Sequence, residues 1–132
     1  KLDAREMTPQ PASTIADSIS ASLPRDRARA LRAVRESEGA MLAVSDDAIL
    51  AAIPALAQLT GVFAEPAGAA AYAGYKAALE NGLLSEREHA LVLNTGNGLK
   101  DVKSAMQAVN ADRLKPVAPT MQAVREAVSK FD

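Results

Sequence analysis

The chain has 132 residues, 48% of them hydrophobic and 23% charged, which is the balance of one soluble globular domain. Fifteen basic side chains against sixteen acidic ones leave a formal charge of -1, so nothing in the charge balance favours a nucleic-acid partner. Cysteine is absent and His89 is the only histidine, which excludes disulfides, thiolate metal centres and a histidine-built zinc site.

In chain order, residues 1–12 are polar and end in Pro9-Gln10-Pro11, which predicts an extended entry segment. Lys1–Met7 has no apolar leader core, and no apolar run approaches the ~18 residues of a membrane span. A cytoplasmic location without a membrane partner is expected. With no initiator methionine, the native start is expected upstream. Thr14–Ile19 fits a short helix or tight loop. Pro24 opens a helix over 25–38 that carries Ala28, Leu31 and Val34 on one face and stops at Gly39. Its basic run, Arg25, Arg27, Arg29, Arg32 and Arg35, is interleaved with Asp26, Glu36 and Glu38 and reads as a solvated face.

Ala40–Val44 is a short apolar run that predicts a buried strand. Ser45-Asp46-Asp47 then starts a helix ending near Gly61, which Pro54 is expected to kink or split. Val62–Ala64 reads as a brief extended stretch before Glu65-Pro66, and Pro66 suits the first turn of a helix over 67–80. Gly68, Ala69, Ala70, Ala71, Ala73 and Gly74 leave that helix nearly bare, so another backbone can approach it closely. Ala90–Leu93 is the second clear strand, followed by Asn94-Thr95-Gly96-Asn97-Gly98 and helices over 99–109 and 120–131. His89 follows the polar run Ser85–Glu88 and reads as a surface residue rather than the base of a triad.

Helices alternating with apolar runs predict an α/β fold, a parallel sheet flanked by helices. Residues 13–109 form its main body and 110–132 a linker and final helix. Two clear strands are few for such a sheet, so residues outside this chain are expected to complete it. In an open parallel sheet ligands bind beyond the carboxyl ends of the strands, where Thr95-Gly96-Asn97-Gly98 falls. The competing reading is an ordinary strand-to-helix turn, and Glu65 alone reads as an ordinary exposed acid.

Taken together, four segments are far more specific: Thr14–Ile19, Val44–Asp47 with Ile49-Leu50, Gly61–Ala70, and Thr95-Gly96-Asn97-Gly98-Leu99-Lys100-Asp101. In order and spacing they resemble the C-terminal portion of the threonine synthases, pyridoxal-phosphate (PLP) enzymes of fold type II, whose large domain is tryptophan synthase beta-like. The resemblance covers about residues 13–105. The Glu65-Pro66-Ala67-Gly68-Ala69 run is also shared with threonine dehydratases, while the Thr95–Asp101 run is more particular to threonine synthases. Asp17-Ser18 stands where some members carry Thr-Ala.

The resemblance implies that Thr95 hydrogen-bonds the pyridine nitrogen of PLP, with Gly96 and Asn97 shaping the turn that presents it. It implies that Ser18 and Ala16 line the cofactor's face and that Glu65 is an acidic neighbour. Lys100 belongs to the post-strand motif; the Schiff-base lysine and the phosphate-binding loop are expected upstream, in the N-terminal part of the same enzyme. The implied reaction is conversion of O-phosphohomoserine and water to threonine and phosphate, in a homodimer, with no catalytic residue in this chain and no activity of the chain alone. The alternatives are a threonine or serine dehydratase of the same fold, or a non-catalytic α/β interaction module.

Overall fold

The computed structural model describes residues 6–113 and 115–130, and among them five α-helices joined by turns. Residues 1–5 of the predicted entry segment and residue 131 of the predicted last helix lie outside the described residues. Helix α1 (Arg27–Glu36) buries only Leu31. Its charges face solvent, with exposed ion pairs from Arg29 to Asp26 at 3.4 Å and from Arg32 to Glu36 at 3.8 Å. Pairs of this kind contribute ~0–1 kcal/mol each, and the predicted solvated face is what they make.

Helix α2 (Asp46–Thr60) begins where the Ser45 side chain accepts the Ala48 N–H at 3.2 Å. Asp46 and Asp47 place negative charge at the positive end of the helix dipole. It ends at Gly61, whose left-handed φ of 74° lets its N–H donate to the Ala57 carbonyl at 2.9 Å. Pro54 does not divide it. The proline removes one backbone bond, a cost of about 3 kcal/mol. Ile49, Ala52, Ile53 and Leu56 are buried on both sides of it, and each large side chain returns about 1.5–3 kcal/mol.

Helix α3 (Pro66–Glu80) starts with Pro66 in its first turn and buries Pro66, Ala67, Gly68, Ala69, Ala73 and Ala78. It packs on α2, and the core lies between them: Ile49, Ala52, Ile53 and Leu56 against Ala64, Ala67, Ala69 and Ala73, with Ala16 closing one end. The predicted helix over 99–109 is a 3₁₀ turn, Gly98–Lys100, followed by α4 (Val102–Ala108), which lies against α2. Helix α5 (Met121–Val128), capped by the Thr120 hydroxyl, buries none of its residues.

The predicted parallel sheet is not present among the described residues. Ala40–Val44 and Ala90–Leu93 are not strands, and the single β-bridge is an isolated antiparallel one between Ala64 and Asn97. The reason is a lack of neighbours. A parallel strand needs ladder partners and cover on its faces, whereas Leu91 and Leu93 are 86% and 66% exposed and Met41 is 55% exposed. Helix α3 is accordingly buried against α2 rather than against a sheet.

Candidate functional site

At the N-terminus of α3, the segment Phe63–Glu65 meets the turn Asn94–Gly98. Gly98 N–H donates to the Phe63 carbonyl at 2.9 Å, and Glu65 N–H donates to the Gly96 carbonyl at 3.0 Å. Three glycines make the approach possible, and a Cβ on the first of them, Gly98, would run into the Phe63 ring. A Cβ on Gly96 would run into the Glu65 carboxylate. A Cβ on Gly68 would stand 3.1 Å from the Gly96 carbonyl oxygen and collide with the Asn94 side chain. The bare face of α3 therefore does receive a backbone, and that backbone is the 94–98 turn.

Glu65 is only 5% exposed. Its Oε1 accepts from Lys100 Nζ at 2.8 Å, and its Oε2 accepts from Ser18 Oγ at 3.4 Å. A buried carboxylate without such partners would carry a desolvation penalty of several kcal/mol; here the ammonium and the hydroxyl offset it. Lys100 stands at the end of the 3₁₀ turn that Asn97 caps, its Oδ1 accepting the Leu99 N–H at 2.9 Å. The next residue, Asp101, caps α4: its Oδ1 accepts Ser104 N–H at 3.0 Å and its Oδ2 accepts Ser104 Oγ at 2.6 Å. The Ser104 hydroxyl and N–H, together with nearby Lys103, hold the Asp101 carboxyl below the usual carboxylate range, against a small opposing effect of burial.

On the other side, Asp46 anchors the segment leading to Ser18. It accepts from Thr14 Oγ1 at 2.5 Å and from Ile15 N–H at 3.2 Å. The 3₁₀ turn Asp17–Ile19 that follows packs against α3.

The structure thus brings together Ser18, Glu65 and Gly96 of the residues singled out by sequence. Asn97 is a cap, and Thr95 is exposed beside Gly96. Ala16 is 2% exposed and belongs to the core, while also contributing to the wall of an open groove of about 410 Å³ with Thr14, Leu42 and Val44. Sequence reasoning missed Lys100 as the counter-ion of Glu65, and also the anchoring roles of Asn94 and Asp46; the approach at Gly68 it did anticipate, though not which backbone would make it. The only signal for the ion pair was that an acid and a lysine each stood in a segment of the same resemblance. Among the described residues no acidic or histidine cluster could hold a metal ion, and no helix is long and apolar enough to cross a membrane.

Residues 2–96 match the family model of the pyridoxal-phosphate dependent enzymes, and the chain belongs to that family. Membership implies PLP as cofactor and the fold type II architecture. Among individual relatives, it is 39% identical over 106 residues to the threonine synthase of Mycobacterium tuberculosis strain H37Rv, covering 80% of this chain and 29% of that protein. Against the threonine synthase of Methanocaldococcus jannaschii it is 40% identical over 95 residues, 72% of this chain and 24% of that protein. The corresponding figures for Halalkalibacterium halodurans threonine synthase are 39% over 99 residues, 75% and 28%. The chain therefore spans less than a third of the length of these curated relatives.

Toward such a cofactor the described residues offer the edge where Glu65 meets the 94–98 turn. The carboxylate there is already paired with Lys100, and the side chain exposed next to it on the turn is a neutral hydroxyl, Thr95.

Proposed function

We propose that this chain forms one wall of the PLP site of a threonine synthase, which as a whole converts O-phosphohomoserine and water to threonine and phosphate. The observation that carries the reading is the junction of the Glu65-Pro66-Ala67-Gly68-Ala69 segment with the Thr95–Asp101 segment at the start of α3, closed by the Glu65–Lys100 pair at 2.8 Å. The names of the relatives in all three organisms support it. When bound, PLP supplies an electron-withdrawing ring for bond breaking next to the substrate's amino group.

The chain's own residues would hold that ring. The Thr95 hydroxyl would donate to the pyridine nitrogen, with Gly96 and Asn97 giving the turn its shape. Ser18 and Ala16 would line the ring's face, and Glu65, its N–H bonded to the Gly96 carbonyl, would hold the turn in place. A neutral hydroxyl does not force a proton onto the ring nitrogen, so the ring is a weaker electron sink, which suits elimination and replacement over transamination. The imine-forming lysine, the phosphate-binding loop and any partner subunit belong to the rest of the polypeptide. The chain by itself is inactive.

Thr95→Val in the complete polypeptide keeps the shape and removes the donor, leaving a ring nitrogen unpaired at a cost of about 1–3 kcal/mol. Cofactor affinity or turnover should fall about ten- to a hundredfold, with Thr95→Ser retaining most of both. A valine variant that binds PLP and turns over like wild type shows Thr95 to be only a turn residue.

A further inference from the structure

We propose that Lys100 is the positioning residue of this cofactor edge, acting through Glu65. The inference rests on the reading of Thr95 given above and extends it to a side chain that does not itself touch the ring. Thr95 is fixed in the chain by Gly96, and Gly96 is fixed by Glu65 twice over. The Glu65 N–H donates to the Gly96 carbonyl at 3.0 Å, and the Glu65 carboxylate fills the space where a Cβ of residue 96 would stand. The turn is therefore only as well placed as the Glu65 side chain.

That side chain is buried to 5% exposure, and its closest polar contact is Lys100 Nζ at 2.8 Å. The Ser18 hydroxyl, at 3.4 Å, lies near the limit of a hydrogen bond. Lys100 also leaves the same loop as Thr95, five residues on, after the Asn97-capped turn. The ion pair thus closes the loop back onto the element it packs against. It also balances a buried negative charge that would otherwise stand uncompensated.

The asymmetry of burial makes the idea testable. The Lys100 side chain is 59% exposed and tolerates losing its partner, whereas that of Glu65 is 6% exposed and does not. In the complete polypeptide, Lys100→Met should weaken PLP binding about ten- to a hundredfold and shift the absorbance maximum of the bound cofactor. Lys100→Arg should restore both to near wild type. The double variant Lys100→Met with Glu65→Gln should bind PLP at least about fivefold tighter than Lys100→Met alone, because it removes the uncompensated charge. Should Lys100→Met fail to fold by circular dichroism, the double variant decides. Folded with PLP affinity within about tenfold of wild type, it upholds the proposal.

A folded Lys100→Met variant with wild-type affinity and spectrum overturns the proposal, as does a double variant no better than the single one or itself unfolded. The two readings separate in parallel titrations. Thr95→Val unchanged with Lys100→Met impaired removes the ring-nitrogen role of Thr95. Thr95→Val impaired with Lys100→Met unchanged removes the role of Lys100.

Discussion

Asp101 uses both carboxylate oxygens on one residue, Ser104, and so starts α4 directly after the turn that carries Thr95 and Lys100. Because these bonds favour the ionised carboxyl, its folded-state pKa lies below the ordinary value. The stability it contributes is complete above the unfolded-state pKa, about 3.9, and is lost as pH falls through the lower folded value. Replacing an N-cap acid by alanine costs about 1 kcal/mol, so Asp101→Ala should lower the denaturation midpoint at neutral pH. Asp101→Asn keeps one acceptor for the Ser104 N–H and should cost less. Between wild type and Asp101→Asn, the gap in denaturant melts from pH 7 to pH 3 should begin to narrow toward the acid end; a gap independent of pH would show that the charge plays no part. The capping role could have been read from sequence, since an acid three residues before a serine at a helix start is a local pattern. The Glu65–Lys100 pair could not, because it joins residues 35 apart and depends on how α3 meets a turn.

Within α3, two glycines separate helix propensity from packing. Gly74 has open space where a Cβ would go, so Gly74→Ala should stabilise the protein by about 0.5–1 kcal/mol. Gly68 sits under the Gly96 carbonyl and the Asn94 side chain. Gly68→Ala should therefore destabilise despite alanine's better propensity, and should displace the turn that presents Thr95. Thermal melts of the two variants side by side test this: equal stabilisation would mean that the turn gives way freely. The helices themselves were legible, because caps such as Ser45, Pro66 and Gly61 act locally. Pro54 does not split its helix, because its local cost is overridden by apolar side chains that only the packed pair α2–α3 buries.

At the scale of the whole molecule, the reading of an α/β sheet rested on two apolar runs, and composition alone shows that such runs want burial, not what buries them. Ala90–Leu93 borders an open groove of about 350 Å³ with Ala71, Gly74, Tyr75 and Ala78, yet Leu91 and Leu93 remain largely in solvent. Pairing is a property of two strands at once, so it was the least legible part of the fold. The core between α2 and α3 needed only contacts within the chain; the small residues of α3 showed that something packs closely on it, but the sequence reading expected a sheet there and not α2.

The exposure of that run has a practical consequence. Endoproteases bind their substrates as extended, accessible backbone, and Leu91-Val92-Leu93 presents apolar side chains suited to chymotrypsin-like cleavage. The chain produced by itself should be nicked there early in limited digestion, as read by mass spectrometry of the fragments. In the complete polypeptide the same peptide bonds should survive many times longer, because neighbouring strands would cover them. Equal cleavage in both would place this segment on the enzyme's surface for good. Digestion at 91–93 would then serve as a timer for how quickly a newly made enzyme closes around its own interior.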